Sequence, residues 1–482
     1  MMKLDKMSGA PDILSGFLLF FRRKVRFMQR SRSFTEGKIF SPLICFAFPV
    51  LVALFLQAMY GAVDLWVVGK FGSAADVSAV STGGQVMQTI TVVIVGLSMG
   101  ITVLVGQKIG EERQEEAGQV IGSGICLFFV ISLALTAVML LVAQPLAYLM
   151  QAPEGAFSRT VDYLRICASG TVFIVAYNVL GSVFRGIGDS RMPLITVAIA
   201  CVFNIIGDLL FVAVFHMGTQ GAALATVLAQ AVSVVLSIFI IRRRVLPFSF
   251  SKKDIRFDKK HIKRIITVGA PVAFQDLLVN ISFLVIIAIV NSLGLVASAG
   301  VGVAEKLCMF IMLVPSAYMQ SMAAFVAQNV GARKLDRAGK ALLYGILSSL
   351  VVGLLMAYLS FFHGEALSTL FVKANETAVI SASADYLRAY AIDCILTSFL
   401  FCFVGYFNGR GKTMLVMIQG IVGAFGVRIP VSYLMSLAAN VSLFHIGLAT
   451  PASSVVQILL CVGYFLFLKK REAASPLENR AG

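Results

Sequence analysis

Charge is the scarcest commodity in this chain: Asp, Glu, Lys and Arg make up 13% of its 482 residues, against 59% hydrophobic ones. Soluble domains carry about 25% charged residues, and the mean hydropathy of +0.90 also lies far outside their range, so a soluble globular protein is excluded. Histidine is almost as rare. His216, His261, His363 and His445 are scattered near the ends of apolar runs, without the spacing of a metal site. The eight cysteines stand singly, with no CxxC pair; they read as small core hydrophobes and not as a disulfide framework. No P-loop is present, which argues against a nucleotide-driven pump. Nor is there a serine with a base, or a histidine pair, that would mark an intramembrane enzyme. No secretory signal is evident: the run Ile13 to Phe21 is too short to span a bilayer and precedes its basic residues instead of following them. Met28 is an alternative initiator.

What the chain has in abundance is long apolar runs. Twelve are long enough to cross a bilayer, near 39–69, 76–106, 120–143, 164–184, 193–214, 221–241, 265–293, 297–326, 341–361, 386–407, 414–437 and 446–468. The net charge of +16 concentrates before the first run (Arg22, Arg23, Lys24, Arg26, Arg30, Arg32) and between the sixth and seventh (Arg242 to Arg244 through Lys263 and Arg264). Basic loops stay in the cytoplasm, and Lys469, Lys470 and Arg471 in the tail fall on the same side, as an even number of spans requires. These clusters lack the aromatic interleaving of a nucleic-acid surface; they fit topology and attraction to anionic lipid. The expected location is the cytoplasmic (inner or plasma) membrane, with both termini inside.

Against this apolar background, the few intramembrane polar residues carry the information. A carboxylate at the bilayer centre costs about 3 kcal/mol even on the gentler scales, so Asp64 in the first span calls for a functional partner. The fifth span supplies Asn204 and Asp208, an i,i+4 pair on one helix face, and the sixth supplies Thr226. At about 1.5 Å rise per residue, Asp64 lies roughly 9 Å below the surface reached at Lys70, and Asp208 about 8 Å from that same surface, Thr226 sharing the level. Four oxygen-bearing side chains from three spans thus agree in depth. Such hard oxygens suit an alkali cation, and two neighbouring carboxylates equally make a proton site.

The sequence also repeats itself. Asp162-Tyr-Leu-Arg165 recurs as Asp385-Tyr-Leu-Arg388, Phe184-Arg-Gly-Ile-Gly188 as Phe407-Asn-Gly-Arg-Gly411, Gly106-Gln-Lys-Ile-Gly110 as Ala327-Gln-Asn-Val-Gly331, and Pro49 as Pro271, all about 222 residues apart. With six spans per half, both halves have the same orientation. The expected fold is therefore an all-α polytopic membrane protein, its twelve transmembrane helices forming two parallel-repeat six-helix bundles around a central cavity. The expected divisions are a cytoplasmic segment 1–38, a first bundle 39–241, a basic linker 242–264, a second bundle 265–468 and a tail 469–482.

These residues resemble the multidrug and toxic compound extrusion (MATE) family of cation-coupled efflux transporters, in its bacterial and archaeal form. The resemblance rests on Pro49 followed by Gln57, Tyr60 and Asp64 with Val68-Gly-Lys-Phe-Gly72; on Gly106-Gln107 before Gly110; on Arg185-Gly-Ile-Gly-Asp189; and on Asn204 before Asp208. It implies antiport, with lipophilic or cationic drug leaving as H+ or Na+ enters, no other cofactor, and a cation site at Asp64, Asn204, Asp208 and Thr226. Sodium would be the only metal, and only at that site. A single chain holds both bundles and is expected to act as a monomer, with small-molecule substrates and lipid as its partners and no nucleic acid. Cation capture would let the first helix repack or bend near Pro49, with Pro271 its counterpart.

The second half departs from this pattern. Val431 stands where the repeat would place an aspartate, beside Arg428 and Pro430, so a second copy of the site is not expected. NorM-type members use a glutamate on the seventh helix; here that stretch has Gln275, Asp276 and Asn280 instead. Glu305, Lys306, Asp393 and Arg428 are further intramembrane charges, with Arg428 expected to pair with Asp393 or Glu305, or to act in gating. The cavity should be apolar and adaptable. Candidates to line it are Gln57, Met59, Tyr60, Phe274, Gln275, Asp276, Asn280 and Glu305. Phe283, Met309, Met312, Tyr318 and Met319 are further candidates. A lipid-linked oligosaccharide flippase is the competing reading, but it would require cationic residues in the cavity for phosphate, and a passive channel would show no coupling.

Overall fold

The computed structural model describes residues 34–243, 246, 250–373, 375–438 and 441–474. The basic cluster before residue 33, the run Ile13 to Phe21, Met28, Arg244 and the tail beyond residue 474 lie outside the described residues. Among the described residues there are helices and turns and no strand.

Eleven helices are long and apolar enough to cross a membrane, and a bent pair makes a twelfth span. In chain order they are α1 (Phe40–Phe71), α2 (Ala74–Gly110), α3 (Gln114–Leu149), α4 (Glu154–Ser169 with Thr171–Ile187), α5 (Arg191–Val214) and α6 (Gly218–Arg242), then α7 (Lys259–Asn291), α8 (Leu295–Gly331), α9 (Leu335–Phe362), α10 (Thr377–Gly409), α11 (Thr413–Ser436) and α12 (Leu443–Glu472). The chain is a multi-pass helical membrane protein, as its apolar runs required. Several helices outrun the apolar stretch that betrays them. α3 begins at Gln114 and α10 at Thr377, because polar first turns beyond the hydrocarbon cost nothing to wind.

The largest departure is α4, whose two pieces meet at 54°. Gly170 stands at the break, and a Cβ there would fall 2.4 Å from Val227, so the bend presses the α4 backbone directly onto α6. The prolines do not break their helices: α1 runs unbroken through Pro49 and α7 through Pro271.

The halves meet at the end of the molecule that carries the linker. There α2 packs against α7 and α8, and α8 against α1, an exchange expected of two repeats related by a two-fold axis. Residues 98–108 of α2 and 320–329 of α8 are buried without exception. The echoed motifs turn out to be the contact itself. Gln328 Nε2 donates to the Gly186 carbonyl at 2.9 Å, and its repeat mate Gln107 Nε2 donates to the Gly409 carbonyl at 3.4 Å. A Cβ on Gly110 would lie 2.0 Å from the Gln328 carbonyl oxygen, and one on Gly331 would lie 2.0 Å from that of Gln107. Only glycine lets these backbones approach so closely, and it does so twice, reciprocally.

A strap ahead of α1 reinforces this closure. Arg337, in the first turn of α9, donates to the carbonyls of Phe34, Glu36, Gly37 and Lys38 at 2.6–3.1 Å, and Asn329 adds a bond to Phe34. The Phe34 ring is buried against Phe46 of α1 and Phe325 of α8. The helix that bears Asp64 is thereby tied to the opposite half at its starting end.

Candidate functional site

Near the far end of α1, away from the linker, Asp64 is 7% exposed although its neighbours Leu65 and Trp66 face outward. Helical periodicity turns it inward, toward α5 and α6. Asn204 and Asp208, one turn apart on α5, are 1% and 0% exposed. Thr226 completes the group from α6, where its hydroxyl lies 3.1 Å from the Ala222 carbonyl and 3.4 Å from Asp64 Oδ2. With one proton to give, that hydroxyl bonds one of the two at a time. Asn204 Nδ2 donates to Thr226 Oγ1 at 3.5 Å, and Asp64 faces Asp208, Asn204 and Thr226 together. All four residues expected at the cation site therefore meet.

Two backbone features allow this. Gly207, beside Asp208, would carry its Cβ 2.9 Å from that of Ala225, so α5 and α6 touch here almost backbone to backbone. Immediately after Asp208 the helix widens into π-type turns over Leu209–Val214, an irregularity that often marks functional sites. The apolar run gives no sign of it.

The site is short of donors. Asp64 Oδ1, Asn204 Oδ1 and both oxygens of Asp208 are buried with no hydrogen-bond partner. Buried polar atoms are rarely left so, and carboxylates least of all. Two of them facing each other need a positive charge between them, which a proton or a small cation supplies. Carboxylate, amide and hydroxyl oxygens form a hard ligand set, suited to Na+ and to H+ and lacking the nitrogen or sulfur of a transition-metal centre.

A fifth residue belongs to this neighbourhood. Gln230, one turn beyond Thr226 on α6, is 8% exposed, keeps a buried Oε1 without a partner and reaches the Tyr60 hydroxyl, as does Gln57. The i,i+4 spacing from Thr226 was the available signal, and depth reckoning alone passed over it.

The remaining candidates divide. Met59, Phe274 and Met309 keep 36%, 49% and 58% of their surface exposed, while Gln57, Tyr60, Phe283, Met312 and Met319 are half-buried. Tyr318 is not among the open positions: it is buried in the core that α1 shares with the second half, with its hydroxyl at Ser348. Gln275 packs its side chain against Gly420 of α11, 2.7 Å from where a Cβ would stand. Asp276 is half-buried, and the Asn280 amide donates to its backbone carbonyl at 2.8 Å instead of to its carboxylate. Glu305 is half-buried and Lys306 exposed. Arg428, 5% exposed, makes no ion pair within 4 Å with either Asp393 or Glu305; its Nη1 donates to Ser282 Oγ at 3.0 Å, and its guanidinium lies 4.4 Å from the Phe283 ring centroid. Asp393 instead accepts from Ser454 Oγ at 2.5 Å.

A twelve-span helical membrane protein, internally repeated and holding a buried oxygen site among three helices of one half, has the architecture of a secondary transporter. The MatE family model matches it twice, over residues 49–210 and 271–434, and the chain belongs to this family of efflux transporters. It is 23% identical over 450 residues to the "Probable multidrug resistance protein YoeA" of Bacillus subtilis (strain 168), covering 92% of this chain and 97% of that one. To an "FAD transporter" of Shewanella oneidensis it is 24% identical over 432 residues, 88% of this chain and 93% of the other. Among solved structures, the "outward-facing conformation of a multidrug resistance MATE family transporter" superposes with a TM-score of 0.85 at 20% identity, covering 92% and 98% of the two chains.

Proposed function

We propose that the protein is a secondary active multidrug exporter, moving lipophilic or cationic organic compounds outward in exchange for H+ or Na+ by alternating access. The observation that carries this reading is the set of four partnerless buried oxygens on Asp64, Asn204 and Asp208. With the site empty, the two facing carboxylates would repel each other; a generic pair of like charges at about 4 Å and an effective dielectric constant of about 20 repels by about 4 kcal/mol. Cation capture removes that repulsion and lets α1 repack against α5 and α6. Because α1 is also strapped to the second half through Arg337, a shift of α1 is transmitted to the closure between the halves.

The two halves act as rigid bundles, 39–241 and 265–468, joined by the linker 242–264 and rocking about their common closure. With the linker and both termini in the cytoplasm, the closed end faces inward, and the substrate cavity lies between the bundles beyond it. The exposed Met59, Phe274 and Met309 give that cavity adaptable apolar walls, with Asp276 and Glu305 as acidic points for a cationic substrate. A single chain in the plasma membrane suffices. A flippase for lipid-linked oligosaccharide would need several free cationic groups for phosphate; the buried Arg428 is already engaged by Ser282 and Phe283, which leaves Lys306 as the exposed one of the two.

The test is efflux of a fluorescent lipophilic cation from proteoliposomes under a proton gradient alone and then a sodium gradient alone. Efflux driven by one gradient and lost in Asp208→Asn is the expected result. Transport indifferent to both gradients and to the substitution would sink the antiport reading.

A further inference from the structure

Each half widens into π-type turns in its fifth helix, over Leu209–Val214 in α5 and Val422–Arg428 in α11. In the first half a carboxylate, Asp208, stands immediately before the widened stretch; in the second a guanidinium, Arg428, ends it. The sign of the charge is reversed.

Around Arg428 the second half is built to hold a positive charge permanently. The side chain is 5% exposed, bonded to Ser282 on α7 and set over the face of Phe283, an arrangement in which the aromatic ring takes the place of water. Its Nε is buried without an acceptor. Asp393 on α10, 2% exposed, is the acidic side chain whose charge acts on it, and Arg428 is in turn the basic group acting on Asp393. Neither is neutralised by direct contact within 4 Å, so they compensate each other through the space between α10 and α11. Arginine does not lose its proton in proteins, so the positive member of this pair is fixed. The four-residue site of the first half holds two carboxylates and no lysine or arginine.

We propose that Arg428 is a tethered cation, supplying to the second half for good the positive charge that an exchangeable ion supplies to the first. The chain then has one exchangeable cation site and moves one coupling cation per cycle. This inference rests on the reading of Asp64 and Asp208 as the coupling site. Asp276 on α7 and Glu305 on α8, both half-buried, belong on this account to the substrate cavity.

The experiment measures steady-state accumulation of a fluorescent lipophilic cation in proteoliposomes against the size of the imposed cation gradient; the exponent of that dependence is the number of cations exchanged per substrate. Wild type should give an exponent of one. Arg428→Gln leaves Asp393 without its counter-charge and should raise the exponent toward two, and adding Asp393→Asn should return it to one. Should Arg428→Gln alone be too unstable to insert, the wild type and the uncharged pair Arg428→Gln/Asp393→Asn carry the test, both with an exponent of one. An exponent of two in wild type, an unchanged exponent in a transporting Arg428→Gln, or loss of coupled transport in the uncharged pair would overturn the proposal. Wild-type transport indifferent to any gradient would overturn the antiport reading and this inference with it, whereas an exponent of two would leave antiport standing.

Discussion

The two halves of this transporter follow one sequence plan and diverge where their chemistry is concentrated. At the closure they remain alike: Gln107 and Gln328 each reach a carbonyl of the other half, and Gly110 and Gly331 each admit the other half's backbone. Around the fifth helices the likeness ends. The first half gathers Asp64, Asn204, Asp208 and Thr226 into a site short of positive charge, and the second places Arg428 beside a lone buried Asp393. Symmetry is kept where the halves must touch and given up where they must do different things.

The largest break in this comparison should come from Asp208→Asn. Removing a carboxylate that has no donor should cut gradient-driven efflux to background while leaving membrane insertion intact, checked by transport and by yield of monodisperse protein. Arg428→Ala should have the opposite profile. Stripping the counter-charge from a buried acid costs about 3–5 kcal/mol, so its thermal unfolding midpoint should fall well below wild type, while that of Asp208→Asn should stay level or rise. Adding Asp393→Asn to an Arg428 variant should recover most of the loss. At the closure, Gly331→Val should drive the halves apart at the linker end, seen as faster thiol labelling of a cysteine introduced at Ala332, and Gly110→Val should do the same, since the contacts are reciprocal. Smallest of the four is Thr226→Ala, which removes one neutral ligand; about 1 kcal/mol, near fivefold weaker apparent cation affinity, is expected. Gln230→Ala should behave similarly if that side chain serves the site through Tyr60.

Much of this was legible in the sequence. The span count followed from apolar length alone, and α4, the sharply bent span, kept its place while hiding its bend, because Gly170 is conspicuous only once Val227 is known to lie against it. The meeting of Asp64, Asn204, Asp208 and Thr226 could be anticipated from depth, since helical rise is constant. What depth could not supply was direction around the helix axis. Gln230 was missed for that reason, and Tyr318 and Gln275 were placed in the cavity though both pack inward. The widened turn after Asp208 and the engagement of Arg428 by Ser282 arise from contacts between spans distant in sequence, which periodicity does not encode. The echoed motifs were visible as a repeat, but nothing in either copy announced that the copies touch.

The central claim is that the oxygens of Asp64, Asn204 and Asp208 hold the exchangeable ion. Its most direct test is equilibrium binding to the purified protein, measured as retained sodium-22 and, separately, as protons taken up from an unbuffered solution. The account predicts saturable uptake of one of the two ions, at one per chain, abolished by Asp208→Asn and preserved in Asp276→Asn and Glu305→Gln. Undiminished uptake in Asp208→Asn, or uptake lost instead in the Asp276 or Glu305 variant, would contradict it.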